Sequence, residues 1–355
     1  MRPRAWCGVL AAVALSATAC GGGGGEAEKT DGAGAAASAR AGFPVTVTDC
    51  MGMKTTFDAA PKKIVTSNAA GLELLMWLGA GDKVAGTGFP PGKGALPREY
   101  TEAGAKVPVL GKSVIPKEKL LGSGADLYVD AFSSMKNMGK MGDAPTAEEF
   151  KAAGIKHVFL KSTACASMAK APRTDLSGVE ADIEELGKVT GTSARATELV
   201  TGMRKKTDGV RDALKDVPAD KRPTYFLFDY DAGTKQPMAV CNRQVANAVI
   251  GMAGGRNVFA DCDGDFKPVG WEDVVAKDPD WIQLAVRNRG SEEANNKAFD
   301  EAAEFLRTFP ATAGLKAVQE GHFVRINSER TTIGGVRSAD TVREIAHTLH
   351  PDRVK

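Results

Sequence analysis

Two runs of alternating strand and helix signals, separated by one long helical stretch, constrain this chain more than any other feature. In the first run Val45-Thr46-Val47-Thr48 alternates like a strand, and residues 60–66 lead a buried strand into Ser67-Asn68. A helix follows, with Leu72, Leu75, Met76 and Leu78 near helical spacing and Gly79 and Gly81 ending it. Residues 84–87 read as the next strand and run into the loop Gly88-Phe89-Pro90-Pro91-Gly92. Residues 126–130 and 156–160 read as two more strands, each preceded by a short helix, and a parallel sheet accommodates both. An amphipathic helix over 179–190 closes the run.

The long helix spans about residues 193–217 and carries Ala196, Leu199, Val200, Met203, Val210 and Leu214 on one face. At 1.5 Å per residue it reaches about 36 Å, a length suited to a connector. Alternation then restarts with a strand at 224–228, a helix at 244–252, a turn at 253–257 and a strand at 281–285. An internal echo relates the two runs: Glu118 and Asp126 in one copy match Glu272 and Asp280 in the other. In each, a short helix precedes a buried strand.

The N-terminus sets the compartment. Arg2 and Arg4 precede an apolar run over 5–15 and then small residues, the order of an export signal, and the run falls short of the ~20 apolar residues of a membrane span. Ala17-Thr18-Ala19-Cys20 resembles the bacterial lipobox, which implies cleavage after residue 19 and a lipid on Cys20, although Ala17 stands where that motif usually has Leu. Plain secretion is the alternative. Residues 20–42, rich in Gly, Ala, Glu and Ser, lack the bulk to repay ordering and read as a flexible tether. The chain has 46 basic and 44 acidic residues, so its body is close to neutral and does not point to nucleic acid. Cys7 leaves with the signal. Cys50, Cys165, Cys241 and Cys262 then remain, an even number that favours disulfides in an oxidising compartment.

Residues 45–86, with Ala60-Pro61-Lys62-Lys63-Ile64-Val65 and Gly71-Leu72-Glu73, resemble the opening of the periplasmic binding proteins for ferric siderophores, haem and cobalamin. Ala253-Gly254-Gly255-Arg256-Asn257, Trp271-Glu272 and Asp278-Pro279-Asp280 resemble their second lobe. The resemblance implies two Rossmann-like α/β lobes, 43–192 and 218–355, joined by the single helix at 193–217, with the ligand between them. It also implies a monomer that docks on an ABC permease dimer through one exposed glutamate per lobe, here Glu118 and Glu272. The chain is thus expected at the outer face of the cell membrane, held by lipid. Four cysteines allow three connectivities; pairing Cys50 with Cys165 and Cys241 with Cys262 keeps each bridge within one lobe and is the expected one.

Loops after strand ends are where α/β folds hold small molecules. They supply Asn68, Phe89, Phe132 and Lys136 in the first lobe, and Tyr230, Arg243, Phe266, Arg287, Arg289 and Arg330 in the second. Each arginine alone reads as a solvated side chain. Together they suit carboxylate, catecholate or hydroxamate oxygens around iron. Phe266 lies six residues before Glu272, where similar proteins place an aromatic against the ligand. Haem needs an axial Tyr or His, for which Tyr230 is the placed candidate, and cobalamin stays open. No resident metal or cofactor is expected. An exported enzyme is the competing class, yet Gly111-Lys112-Ser113 lacks the first glycine of a phosphate loop, Lys106 standing there, and no nucleophile set can be assigned. A sensor lipoprotein is the other rival.

Overall fold

The first polar and apolar alternation becomes a hairpin. β1 (Val45–Thr48) and β2 (Lys54–Phe57) pair antiparallel and turn Val47 and Phe57 inward. The chain then builds β3 (Ile64–Thr66), α1 (Ala69–Trp77), β4 (Val84–Thr87), α2 (Thr101–Ala105), α3 (Lys117–Leu121), β5 (Leu127–Asp130), α4 (Ala147–Ala152) and β6 (Lys156–Phe159). The last four strands make a parallel sheet in the order β4-β3-β5-β6. β3 and β5 are apolar on both faces, as a doubly covered parallel sheet requires. Ile64, Leu127 and Val129 enter one apolar cluster, and Val65 and Tyr128 enter the cluster on the opposite face.

Two short turns of chain lead out of this lobe through α5 (Lys161–Ala164) and α6 (Ser177–Thr190) into α7 (Ser193–Leu214). The long helix is three residues shorter than its pattern suggests, because Val217 N–H closes a turn on the Leu214 carbonyl. Its apolar face is buried throughout. Asp182 on α6 reaches back to accept the backbone N–H groups of Lys161 (2.8 Å) and Ser162 (2.7 Å), satisfying donors at the start of α5.

The second lobe contains β7 (Thr224–Asp229), β8 (Met238–Val240), α8 (Val245–Met252), β9 (Arg256–Asn257), β10 (Phe266–Pro268), α9 (Trp271–Lys277) and β11 (Trp281–Ala285). It ends with α10 (Glu292–Thr308), α11 (Lys316–Glu320), β12 (Phe323–Arg325), α12 (Ser328–Thr332) and α13 (Ser338–Leu349). Its parallel sheet runs β9-β7-β11-β12, which repeats the order of the first sheet strand for strand. Two details differ from the sequence reading. The 253–257 turn ends in strand β9, and Phe266 sits in β10, paired antiparallel with β8, rather than in a loop.

One apolar core passes from the first sheet through α6 and α7 into α8 and α13, so the lobes share buried surface along the connector. Cys50 pairs with Cys165 and Cys241 with Cys262, at Cα separations of 5.8 and 5.0 Å, each within one lobe. The computed structural model describes residues 42–132 and 144–355. The signal, Cys20 and the tether to residue 41 lie outside the described residues, as does Lys136. No helix among the described residues is long and apolar enough to cross a membrane.

Candidate functional site

In the first lobe the ends of three strands are pulled together around Gly88. A Cβ there would lie 2.7 Å from the Ser67 carbonyl oxygen and 3.0 Å from that of Ser113, so only glycine fits. Phe89 follows with φ of +33°, a conformation costly for an L-residue. Its carbonyl accepts Ala69 N–H and its own N–H donates to the Ser113 carbonyl, which hold it there. Phe132 faces it, the ring centroids 5.4 Å apart. Asp130 orients the Phe132 backbone by accepting its N–H at 2.9 Å, while its second oxygen meets His157 Nε2 at 3.2 Å. A partly buried pair of aromatic rings at strand ends is the kind of apolar surface that small-molecule sites use.

The second lobe offers a charged counterpart. Asp231 accepts Arg287 N–H at 2.7 Å and pairs with the Arg289 guanidinium, and Glu329 accepts Asn288 N–H at 3.1 Å. The 287–290 loop so fixed abuts the first lobe: Gly92 lies under the Asn288 carbonyl and Gly290 under Lys93. Burial raises the Asp229 pKa, against the Ala232 N–H bond and the attraction of the Arg287 charge. Beside this contact Arg337 crosses between lobes, donating from Nε to Glu73 Oε1 at 2.7 Å, from Nη2 to Oε2 at 2.5 Å and to the Ala95 carbonyl at 2.9 Å.

A second junction gathers around Arg173. Its N–H donates to the Asn242 carbonyl (2.8 Å), and its own carbonyl accepts Asn247 Nδ2 (2.9 Å) from the other lobe. Arg243 crosses in the reverse direction to the Ser167 carbonyl (3.4 Å) and pairs with Asp263. Arg173 Nε, Arg243 Nε and Asp265 Oδ1 are buried here without a hydrogen-bond partner among the described residues. Burial pushes the Asp265 carboxyl up to about 6, against the attraction of Arg173. Burial also lowers the Arg173 guanidinium, opposed by Asp182 and Asp265. Buried polar atoms without a partner, beside an acid whose pKa is raised, make this junction a candidate binding site.

Residues 64–329 match the family model described as periplasmic binding protein. The chain belongs to this family. Among curated relatives it is 24% identical over 314 residues to the uncharacterized ABC transporter substrate-binding lipoprotein YvrC of Bacillus subtilis, covering 88% of each chain. It is 24% identical to a cobalamin-binding protein of Halobacterium salinarum, covering 87% of this chain and 74% of that one. Among solved structures, a periplasmic binding protein from Veillonella parvula superposes with a TM-score of 0.72 at 26% identity, covering 86% of this chain and 97% of that one. A structure described as an ABC-type Fe3+-hydroxamate transport system, from Saccharomonospora viridis, gives 0.69 at 25% identity, covering 87% and 99%.

Within this periplasmic binding protein the residues singled out from sequence have different surroundings. Phe89 and Phe132 come together, and Phe266 is 40% exposed on β10 next to Asp265. Of the four arginines, Arg287 alone has a guanidinium without a hydrogen bond or ion pair to a described residue. Arg330 turns to α13 instead, meeting Thr341 Oγ1 at 3.3 Å and Glu344 at 2.8 Å, because α12 packs against α13. Arg243 and Arg289 are held by Asp263 and Asp231. Asn68 is buried and accepts Gly71 N–H as the cap of α1. Tyr230 packs edge-on against Phe228 and tilted against Phe305, lining an open depression of about 480 Å3 on the flank of α10. Arg173 and Asp265 carry only a positional signal in the sequence, Asp265 next to Phe266 and Arg173 in an unpatterned segment before α6.

Glu118 and Glu272 stand in the first turns of α3 and α9, both exposed, with no side-chain bond to a described residue. Eight residues on, Asp126 accepts the N–H groups of Lys62 (2.7 Å) and Lys63 (2.9 Å), and Asp280 accepts Thr224 N–H (2.8 Å) and Oγ1–H (2.7 Å). The echo in the sequence therefore marks equivalent places in the two sheets, where β5 meets β3 and β11 meets β7.

Proposed function

We propose that this periplasmic binding protein is the substrate-binding component of an ABC importer, anchored by lipid at Cys20 on the outer face of the membrane, and that it captures a ferric siderophore between its lobes. The observation that carries the class is the family match over 64–329 of a chain with two like-ordered sheets on one connecting helix. The observations that favour an anionic, oxygen-rich ligand are three: the Phe89–Phe132 pair and the buried Arg173 Nε in the first lobe, and the Arg287 guanidinium in the second, the last two without a hydrogen-bond partner among the described residues. Arg287, Arg173, Phe89, Phe132 and Phe266 are the proposed contacts, and no iron ligand need come from the protein. Glu118 and Glu272 are the proposed permease contacts.

The cobalamin relative and the aromatic wall favour cobalamin as the second reading. Titration of the tether-free protein with ferric siderophores, haem and cobalamin, followed by Trp77, Trp271 and Trp281 fluorescence, separates the two. Saturable binding of a ferric siderophore alone supports the first reading, and binding of cobalamin alone overturns it. Cys20→Ala tests the anchor: the protein should pass into the medium, and unchanged membrane retention counts against lipid attachment.

A further inference from the structure

Few large apolar side chains stand in solvent among the described residues, and two of them accompany the two glutamates. Val275, 40% exposed, lies three residues after Glu272 on α9 and so shares its face. Next to them is an open depression of about 570 Å3 lined by Trp271, Glu272, Val275, Phe309, Ala311 and Lys235. In the first lobe Val109 is 50% exposed and bridges to Thr87 on the edge strand β4. Lys119 Nζ donates to the adjoining Leu110 carbonyl at 3.3 Å, which fastens the Val109-Leu110 segment to α3, the helix that carries Glu118.

We infer that Val109 and Val275, together with the depression beside Glu272, are apolar contact points for the permease, resting on the reading that the two glutamates dock there. The occupant is a membrane-protein loop pairing a basic side chain with an apolar one. An unpaired carboxylate stays favourable under an interface only if an opposite charge meets it, and an apolar neighbour that excludes water strengthens that pair. Two such patches, one on α9 and one on a segment fastened to the equivalent helix α3, suit a partner made of two like subunits. The valines thus add contact to what the charges orient.

A photo-cross-linking residue placed at Lys112 or Ala276, both exposed beside these patches, in the full-length protein in its native host, reports docking without altering either glutamate, either valine or the bonds that hold them. The expected adduct is with a multi-spanning ABC permease, identified by mass spectrometry. Adding Val109→Asp or Val275→Asp should lower its yield at least fivefold with the melting temperature unchanged. A permease adduct that Glu272→Arg abolishes but Val275→Asp leaves at full yield overturns the apolar contact while the docking reading stands. Absence of any permease adduct from both positions overturns both.

Discussion

Asp126 and Asp280, 154 positions apart, hold equivalent posts: each precedes a central strand and takes two hydrogen bonds from the start of the neighbouring strand. Each clamps the register of a parallel pair that no hairpin turn can set. Burial pushes the Asp280 carboxyl up, but the Thr224 bonds, with Lys316 and Arg256, outweigh it and hold its pKa below the ordinary value. Asp280→Ala orphans the Thr224 donors and should cost about 1–3 kcal/mol. Asp126→Ala should cost a similar amount, and urea unfolding of both variants measures it. A neutral result at both positions would remove the clamp.

Asp265 should make stability fall as pH rises. Its folded pKa is about 6 and its ordinary value about 4, so the folded state binds the extra proton between those pH values. The stabilising proton is fully bound below pH 4 and lost as pH rises through 6. Asp265→Asn should therefore be more stable than the parent at pH 7.5, by up to about 2–3 kcal/mol, and no more stable at pH 4. Melting curves at the two pH values give the comparison.

Arg287 and Arg330 should separate affinity from stability. Arg287→Ala removes a guanidinium that bonds to no described residue, so it should leave melting unchanged and weaken binding of the best panel ligand by roughly tenfold or more. Arg330→Ala breaks the contact with Thr341 and Glu344 and should lower stability by about 1 kcal/mol with affinity kept. The opposite pattern would place Arg330 in the site.

The Arg337–Glu73 pair joins residues whose side chains are 27% and 14% exposed. Breaking it with Glu73→Gln should loosen the lobe contact near Ala95, seen as faster amide exchange over residues 92–96 and 287–290 and a loss of about 1–3 kcal/mol. Unchanged exchange in both segments would show that this pair does not hold the lobe contact.

Cys241 and Cys262 close a loop with a sequence separation of 21. Cys241→Ala with Cys262→Ala should cost about 3 kcal/mol in the chain-entropy view and free the ribbon that carries Asp265 and Phe266. A thermal scan beside the parent checks it.

Much of the architecture was readable because strand and helix patterns are local: they repeat within ten residues, as in Val84–Thr87 and Trp281–Ala285, which form as their side-chain pattern predicts. The two-lobed plan was readable too, since the Glu118–Asp126 and Glu272–Asp280 echo lies in the letters themselves. What the tertiary structure alone decided is where long side chains end. Arg287 and Arg330 look alike in sequence, yet one guanidinium bonds to no described residue and the other is captured by Glu344 on α13. Tyr230 is drawn off by Phe305. Arg173 meets Asn242, Asn247 and the field of Asp265 only because the lobes close around α7. The physical reason is range: backbone preference acts between neighbours in the chain, whereas a charge or a ring is claimed by whatever the fold brings within a few ångströms, and for Arg173 that includes Asn247, 74 positions away.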